Sequence, residues 1–210
     1  MVAAGIEGCH RRRRRSLTRS DAGATKAPDL VDRRFVADRP DQLWLTDITY
    51  VPTRKGFTYM AAVLDVFSRK VVGWAVATDL STMIVRRALD MAVQARTPGG
   101  GLVLHSDQGS QFTSASFRQH LTELEIRPSM GTAGDCYDNA MMESFFATLE
   151  CELIERTRFG DQSDALLGIF NFIEGFYNPR RRHSSLDYLS PDDYERRHDQ
   201  ARSEPLPTVH

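Results

Sequence analysis

Between Leu43 and Ala77 three β-prone runs follow one another with no room for a crossover: Leu43–Val51 (LWLTDITYV), Thr58–Val66 and Lys70–Ala77 (KVVGWAVA). Each is rich in β-branched and aromatic residues, and the first connection carries Pro52 and Gly56. Parallel neighbours need a connection of roughly a dozen residues or more, so these runs pair as an antiparallel meander. That fixes half of a sheet.

The other half alternates helix and strand. Ser81 is placed to cap a helix in which Ile84, Ala88, Met91 and Ala92 recur at helical spacing, and Gly99–Gly101 ends it. Leu102–His105 is a short apolar run fit for a buried central strand. A helix opens at Thr113 or Ser114, with Phe117, Leu121 and Leu124 on one face, and Ile126–Met130 forms a fifth short strand. Asp138 is the expected cap of a further helix striped by Met142, Phe145, Phe146, Leu149 and Leu153. The fold class is therefore α/β: a mixed five-stranded sheet, three antiparallel strands and then two parallel, with helices on both faces.

At 210 residues and 41% hydrophobic content the chain buries one substantial core. Its net charge of −1 hides an uneven distribution: residues 1–40 carry ten Lys/Arg against five Asp/Glu, and residues 41–160 eleven against fourteen. We read residues 1–40 as a basic flexible arm, 41–160 as the core, and 161–210 as a helical extension. That extension starts with an amphipathic helix from Asp161 to about Tyr177. A basic cluster, Arg180–His183, a short capped helix, Ser190–Arg197, and a frayed end follow. Cys9, Cys136 and Cys151 are odd in number and lack a C-x-x-C, so neither a disulfide framework nor a zinc knuckle is indicated. No secretory signal and no membrane-spanning run is read, so a cytoplasmic, reduced protein is expected.

Three carboxylates stand where these elements make them informative. Asp47 shares a strand face with Leu43, Leu45, Thr49 and Val51, where an ionised group is costly unless paired or bound to a cation. Asp107 follows the strand Leu102–His105, at the carboxyl end where ligands of open α/β sheets gather. Glu143 lies one turn into its helix, beside the packed stripe. Each also has a plain structural role: a strand Asp accepting a backbone bond, a turn-former before Gly109, and a first-turn acid favoured by the helix dipole. Together they can close around Mg²⁺, a hard cation that prefers oxygen. Asp65 reads as a turn residue before Phe67-Ser68-Arg69 in preference to a carboxylate backing the metal ligands, His105 as a strand-end residue or one backing those ligands rather than a ligand itself, His183 as part of a solvated or nucleic-acid-facing surface, and Trp44 and Trp74 as core aromatics.

These residues sit in longer strings. LWLTDITYVP, LDVFSRKVVGWA, HSDQGSQFTS, CYDNAMMESFFATL and YNPRRRHSSLDYLSP, in that order, resemble the second-frame product of IS-three-type insertion-sequence transposases. The resemblance covers roughly residues 25 to 197. It implies a ribonuclease-H-like fold, an integrase-like catalytic core, and Asp47, Asp107 and Glu143 as the acidic triad. It further implies two Mg²⁺ ions, with Mn²⁺ able to substitute, and a water-driven nick followed by attack of the freed 3′-hydroxyl on another DNA phosphodiester. DNA is the implied partner, with a homo-oligomer bridging two ends, a first-frame helix-turn-helix partner and a nucleoid-associated location. The expected DNA contacts are Arg11, Arg12, Arg13, Arg14, Arg15, Gln108, Asn139, Arg180, Arg181, Arg182 and His183.

The chain departs from the family's usual pattern in one direction. Gln108 stands where Arg is usual, Gly131-Thr132-Ala133-Gly134 where basic residues are common, Asp135 where Asn is usual, and Glu150 where Lys is usual. Each change removes positive charge or adds negative charge along the presumed DNA path. Met1–Arg15 resembles only the last stretch of the family's N-terminal recognition module, so a truncated start is expected. The alternative to an active enzyme is therefore a catalytically weak DNA-binding remnant that modulates a full-length transposase.

Overall fold

The computed structural model describes residues 26–131 and 140–203. A five-stranded sheet runs through it in the order β3-β2-β1-β4-β5. Its strands are β1 (Leu43–Thr53), β2 (Gly56–Asp65), β3 (Val71–Ala77), β4 (Val103–Ser106) and β5 (Arg127–Met130). The meander β1–β2–β3 is antiparallel, and β4 joins β1, then β5 joins β4, in parallel. This is the mixed sheet that the pattern of runs predicts. Pro52 stays in the β1–β2 ladder opposite Phe57 because, beyond the Leu45–His105 pair, β1 is an edge where a missing N–H costs little.

Helices cover both faces. On one lie α1 (Thr82–Arg96), the short α2 (Ser110–Thr113) and α3 (Ala115–Glu123), packing Ile84, Ala88, Leu89, Phe112 and Phe117 on Trp44, Ile48 and Leu104. On the other lie α4 (Ala140–Leu149) and α5 (Gln162–Phe172), whose Phe145, Phe146, Leu149, Ile169 and Phe172 pack on Leu43, Leu45, Val51 and Met60. Gly73 in β3 makes the first packing possible: a Cβ there would lie 2.2 Å from the Ala88 carbonyl oxygen and 2.6 Å from the Ala92 nitrogen.

Caps follow the sequence in part. Asp161 accepts from the amides of Ser163 and Asp164, and Ser114 accepts from Phe117. Ser81 occupies the cap position of α1 but makes no side-chain cap bond; instead Asp79 accepts from its amide. The expected cap Asp138 lies outside the described residues.

The last third is part of the same core. α5 runs on through a π-helical turn, Ile173–Tyr177, into α6 (Asn178–Arg180), burying Ala165, Ile169, Ile173 and Tyr177 with the sheet. The Asn178 side chain pairs with β3 like a strand, accepting from the Val71 amide and donating to the Val71 carbonyl, both at 3.0 Å. α7 (Pro191–Ser203) then docks through Glu195. Arg96 donates from Nη1 to Glu195 Oε2 at 2.7 Å, from Nη2 to Glu195 Oε1 at 2.9 Å and from Nε to Asp41 Oδ1 at 2.9 Å, while Ser68 donates to Glu195 Oε1 at 2.7 Å.

Three expectations are corrected here. Asp65 is more than a turn residue: fully buried, it accepts from the amides of Asp41 and Phe67 and from the Trp44 indole, and it lies 3.5 Å from Arg96. Burial pushes its carboxyl up to about 6. His183 is no surface residue, because its ring packs edge-on against Tyr177 inside the fold. Cys151 is disulfide-bonded, where linear spacing gave no pairing signal. Among the described residues no helix is long and apolar enough to cross a membrane.

Candidate active site

The parallel pairing of β1 with β4 builds the site. Leu43, Trp44 and Leu45 face Val103, Leu104 and His105 at a constant offset of 60 positions (103 − 43). Asp47 lies two residues past the last paired position of β1, and Asp107 directly follows the end of β4, so both sit at the end of this parallel pair. Alternation then sets the side. Leu43 and Leu45 belong to the cluster under α4, Val103 packs against it, and His105 meets Phe35 of the same layer edge-on at 5.3 Å. Asp47, inside β1, shares parity with Leu43 and Leu45 and so stands on the α4 face.

Both carboxylates are held by their own backbone. Asp47 Oδ1 accepts from the Ile48 amide at 2.7 Å, and Asp107 Oδ1 from the Gly109 amide at 2.9 Å. The plain structural roles read from sequence are thus present, and they fix each carboxylate where its strand puts it. Glu143 is half-buried in the first turn of α4, next to Met142, which packs under the sheet. The three acids therefore come from β1, the segment just after β4 and the first turn of α4. Carboxylate oxygens suit a hard divalent cation by type. In this conformation, however, no three His, Cys, Asp or Glu side chains among the described residues stand close enough together to hold a metal ion.

His105 is buried beside Ser129, 2.9 Å from its hydroxyl, a strand-end packing role. Gln108 donates to the Gly131 carbonyl at 2.7 Å, which ties the end of β4 to the end of β5 and commits its amide within the fold. Arg180 and Arg182 are exposed, whereas Arg181 pairs with Glu152 at 3.3 Å and lies over the Tyr177 ring. His183 drops out as a DNA contact: burial, with Arg181 and Arg69 nearby, lowers its imidazole to about 4. Arg11, Arg12, Arg13, Arg14, Arg15 and Asn139 lie outside the described residues. Sequence reading passed over Tyr50 and Phe57, an exposed aromatic pair near the tip of the β1–β2 hairpin. The signal was there, since Tyr50 follows Ile48 at the two-residue period of its face, but nothing in the sequence says where the covering helices stop.

Comparison with known proteins agrees with this architecture. Residues 37–136 match the integrase core domain, and residues 124–191 match a second model of the same description. The chain is 44% identical over 169 residues to the transposase for insertion sequence element IS904 of Lactococcus lactis subsp. lactis (strain IL1403), covering 80% of this chain and 67% of that protein. It is 38% identical over 173 residues to transposase InsF for insertion sequence IS3A of Escherichia coli (strain K12), covering 82% of this chain and 60% of that protein. The HTLV-2 integrase catalytic core domain in complex with magnesium aligns with a TM-score of 0.59 over 76% of this chain and 99% of that one, at 14% identity, a likeness of fold. With its mixed sheet, its two helical layers and these relatives, the chain belongs to the IS3-type insertion-sequence transposases, DDE-type enzymes with an integrase catalytic core of the ribonuclease-H-like class.

Proposed function

We propose that this chain carries the catalytic core that cuts and joins DNA phosphodiesters during transposition, with Asp47, Asp107 and Glu143 as its acidic triad. The observation that supports the reading is the parallel β1–β4 pairing, whose end carries Asp47 in β1 and Asp107 just past β4, next to the sheet face that α4 covers. Asp47 and Asp107 are the rigid pair, each anchored by a backbone amide. Glu143 is the third donor, presented by a helix whose preceding segment lies outside the described residues. The triad would hold Mg²⁺ or Mn²⁺, the former bound by the HTLV-2 relative. Bound there, a pair of such ions supplies activation of the attacking oxygen and stabilisation of the leaving one.

Element ends and target DNA are the proposed substrates. Arg180 and Arg182, with the arm arginines Arg11–Arg15 and with Asn139, are proposed to contact phosphate. A homo-oligomer bridging two ends, a first-frame helix-turn-helix partner and a cytoplasmic, nucleoid-associated location complete the proposal. The division into a basic arm at 1–40, a core at 41–160 and an extension at 161–210 is kept as a functional one.

The test is joining of a labelled element end to plasmid DNA in Mg²⁺ or Mn²⁺, with Asp107→Asn alongside, plus Mn²⁺ binding to both proteins followed by electron paramagnetic resonance. Joining by the parent chain alone and loss of one bound Mn²⁺ in the variant are the expected results. Equal product or equal Mn²⁺ binding from the two proteins rejects the assignment. Tight DNA binding by the parent without joining favours the remnant reading, for which the acidic and neutral replacements at Gln108 and Glu150 speak.

A further inference from the structure

β4 is four residues long, and Asp107 follows directly on its last residue, Ser106. On one side the ladder with β1 stops at the Leu45–His105 pair, so the end of β4 leans on β5, the edge strand. The backbone bond there is long: the Gly131 amide meets the Ser106 carbonyl at 3.4 Å, where about 2.9–3.0 Å is usual. Side chains make the shorter ties. Gln108, just after Asp107, donates to the Gly131 carbonyl at 2.7 Å, and two residues before Asp107 the His105 Nδ1 lies 2.9 Å from Ser129 Oγ. Asp107 is thus bracketed by two side-chain bonds to the end of one short strand.

β5 is in turn held from outside. Ala27 packs with the core on the α1 side, whereas Val31 and Phe35 pack with the core under α4, so residues 28–30 cross the sheet edge between the two layers. In crossing, the Leu30 amide donates to Ser129 Oγ at 2.9 Å, and the Phe35 ring then closes edge-on against His105. Ser129 is 0% and His105 3% exposed. Packing alone would favour apolar side chains at these registered positions, because a buried hydroxyl or imidazole is costly unless it finds a partner. The partners found here join three separate stretches of chain: residues 28–30, β4 and β5.

We propose that Ser129 and His105 are positioning residues for the Asp107 carboxylate: tied to the Leu30 amide, they lock β5 against the end of β4 and so set where the turn at residues 107–109 stands. This rests on the transposase reading, in which Asp107 holds a cation, and adds to it the residues that keep that carboxylate in place. Both act through the strands and not on the reacting atoms. The turn carries its own reporter. The buried Gly109 amide donates to Asp107 Oδ1, so its exchange with solvent follows how firmly that carboxylate is held.

The experiment is amide hydrogen exchange of the full chain, free of divalent metal, followed residue by residue by nuclear magnetic resonance. Ser129→Ala removes one oxygen and is expected to speed Gly109 exchange about tenfold. The Ile48 amide, which donates to Asp47 Oδ1, is the internal control and should stay within about twofold. Ser129→Thr keeps the hydroxyl and should restore the protection. Leu30→Pro removes the donating amide, leaves Ser129 and His105 in place and should act as Ser129→Ala does, which keeps the test open if that variant does not fold. An unchanged Gly109 rate, equal acceleration of Gly109 and Ile48, or failure of Ser129→Thr to restore protection overturns the proposal, since a merely stabilising pair would loosen the whole sheet or leave the turn alone. In Ser129→Ala the affinity for Mn²⁺ should also fall about tenfold with the circular dichroism unchanged. Unchanged affinity beside a faster Gly109 overturns the step from turn to cation. Because Gly109 exchange is read without metal, its failure is separate from failure of the triad, which Asp107→Asn and Mn²⁺ binding decide.

Discussion

Removing Arg96 should cost this fold more than removing any surface cation, and the cost should depend on pH. The Arg96 side chain is 14% exposed and touches Asp65 at 0% and Glu195 at 11% exposure, with Asp41 completing a ring of three carboxylates. Arg96→Met keeps much of the apolar stem and leaves those acids facing one another. Breaking a buried ion pair by deleting one partner costs about 3–5 kcal/mol. The low end applies here, because the ring borders an open cleft of about 320 Å³ lined also by Arg39 and Arg202. At about 2–4 °C per kcal/mol for a chain of this size, about 3 kcal/mol lowers Tm by roughly 6–12 °C at neutral pH. Burial already holds the Asp65 carboxyl at about 6 with Arg96 in place, and losing the guanidinium raises it further. Near pH 5 that acid is therefore largely protonated with or without Arg96, and roughly half of the penalty should vanish. The assay is thermal unfolding followed by circular dichroism at the two pH values. A loss of less than about 2 °C at neutral pH, or equal losses at both, refutes the reasoning. Adding Glu195→Met to Arg96→Met should recover part of the stability, since it removes one of the stranded charges.

The other predictions are shorter. Gly73→Ala places a methyl group 2.2 Å from the Ala88 carbonyl oxygen, so α1 must shift; urea unfolding should show a loss of about 2–3 kcal/mol, and an unchanged midpoint contradicts the packing. Asp65 and His183 titrate in opposite senses. Asp65, raised by burial to about 6, stabilises fully below its unfolded value of about 3.9, and that contribution is lost as pH rises through about 6. His183, lowered by burial to about 4, contributes stability that is present above about 6.5 and lost as pH falls toward 4. The two slopes oppose one another, so stability should be nearly flat between about pH 4 and 6, whereas in His183→Phe it should fall as pH rises across that window. Urea midpoints that rise with pH in the variant would rule this out.

What the sequence determined by itself is the order and kind of the elements. The crowded β-prone runs of Leu43–Ala77 admit only a meander, and the alternating helix and strand after them admit parallel additions, because chain length limits how strands can connect. Asp47, Asp107 and Glu143 were legible as candidates because strand alternation and helical spacing are local and periodic. Tertiary structure alone decided what each polar group meets. Linear spacing could not say that Asp65 would meet Arg96 from α1, itself held by Glu195 from α7, nor that the ring of His183, written beside three arginines, would turn inward against Tyr177. Nor could it say where the helices stop along the hairpin, leaving Tyr50 uncovered two residues after a buried Ile48. Burial and charge pairing are set by contacts between residues far apart in the chain, and no local period encodes them.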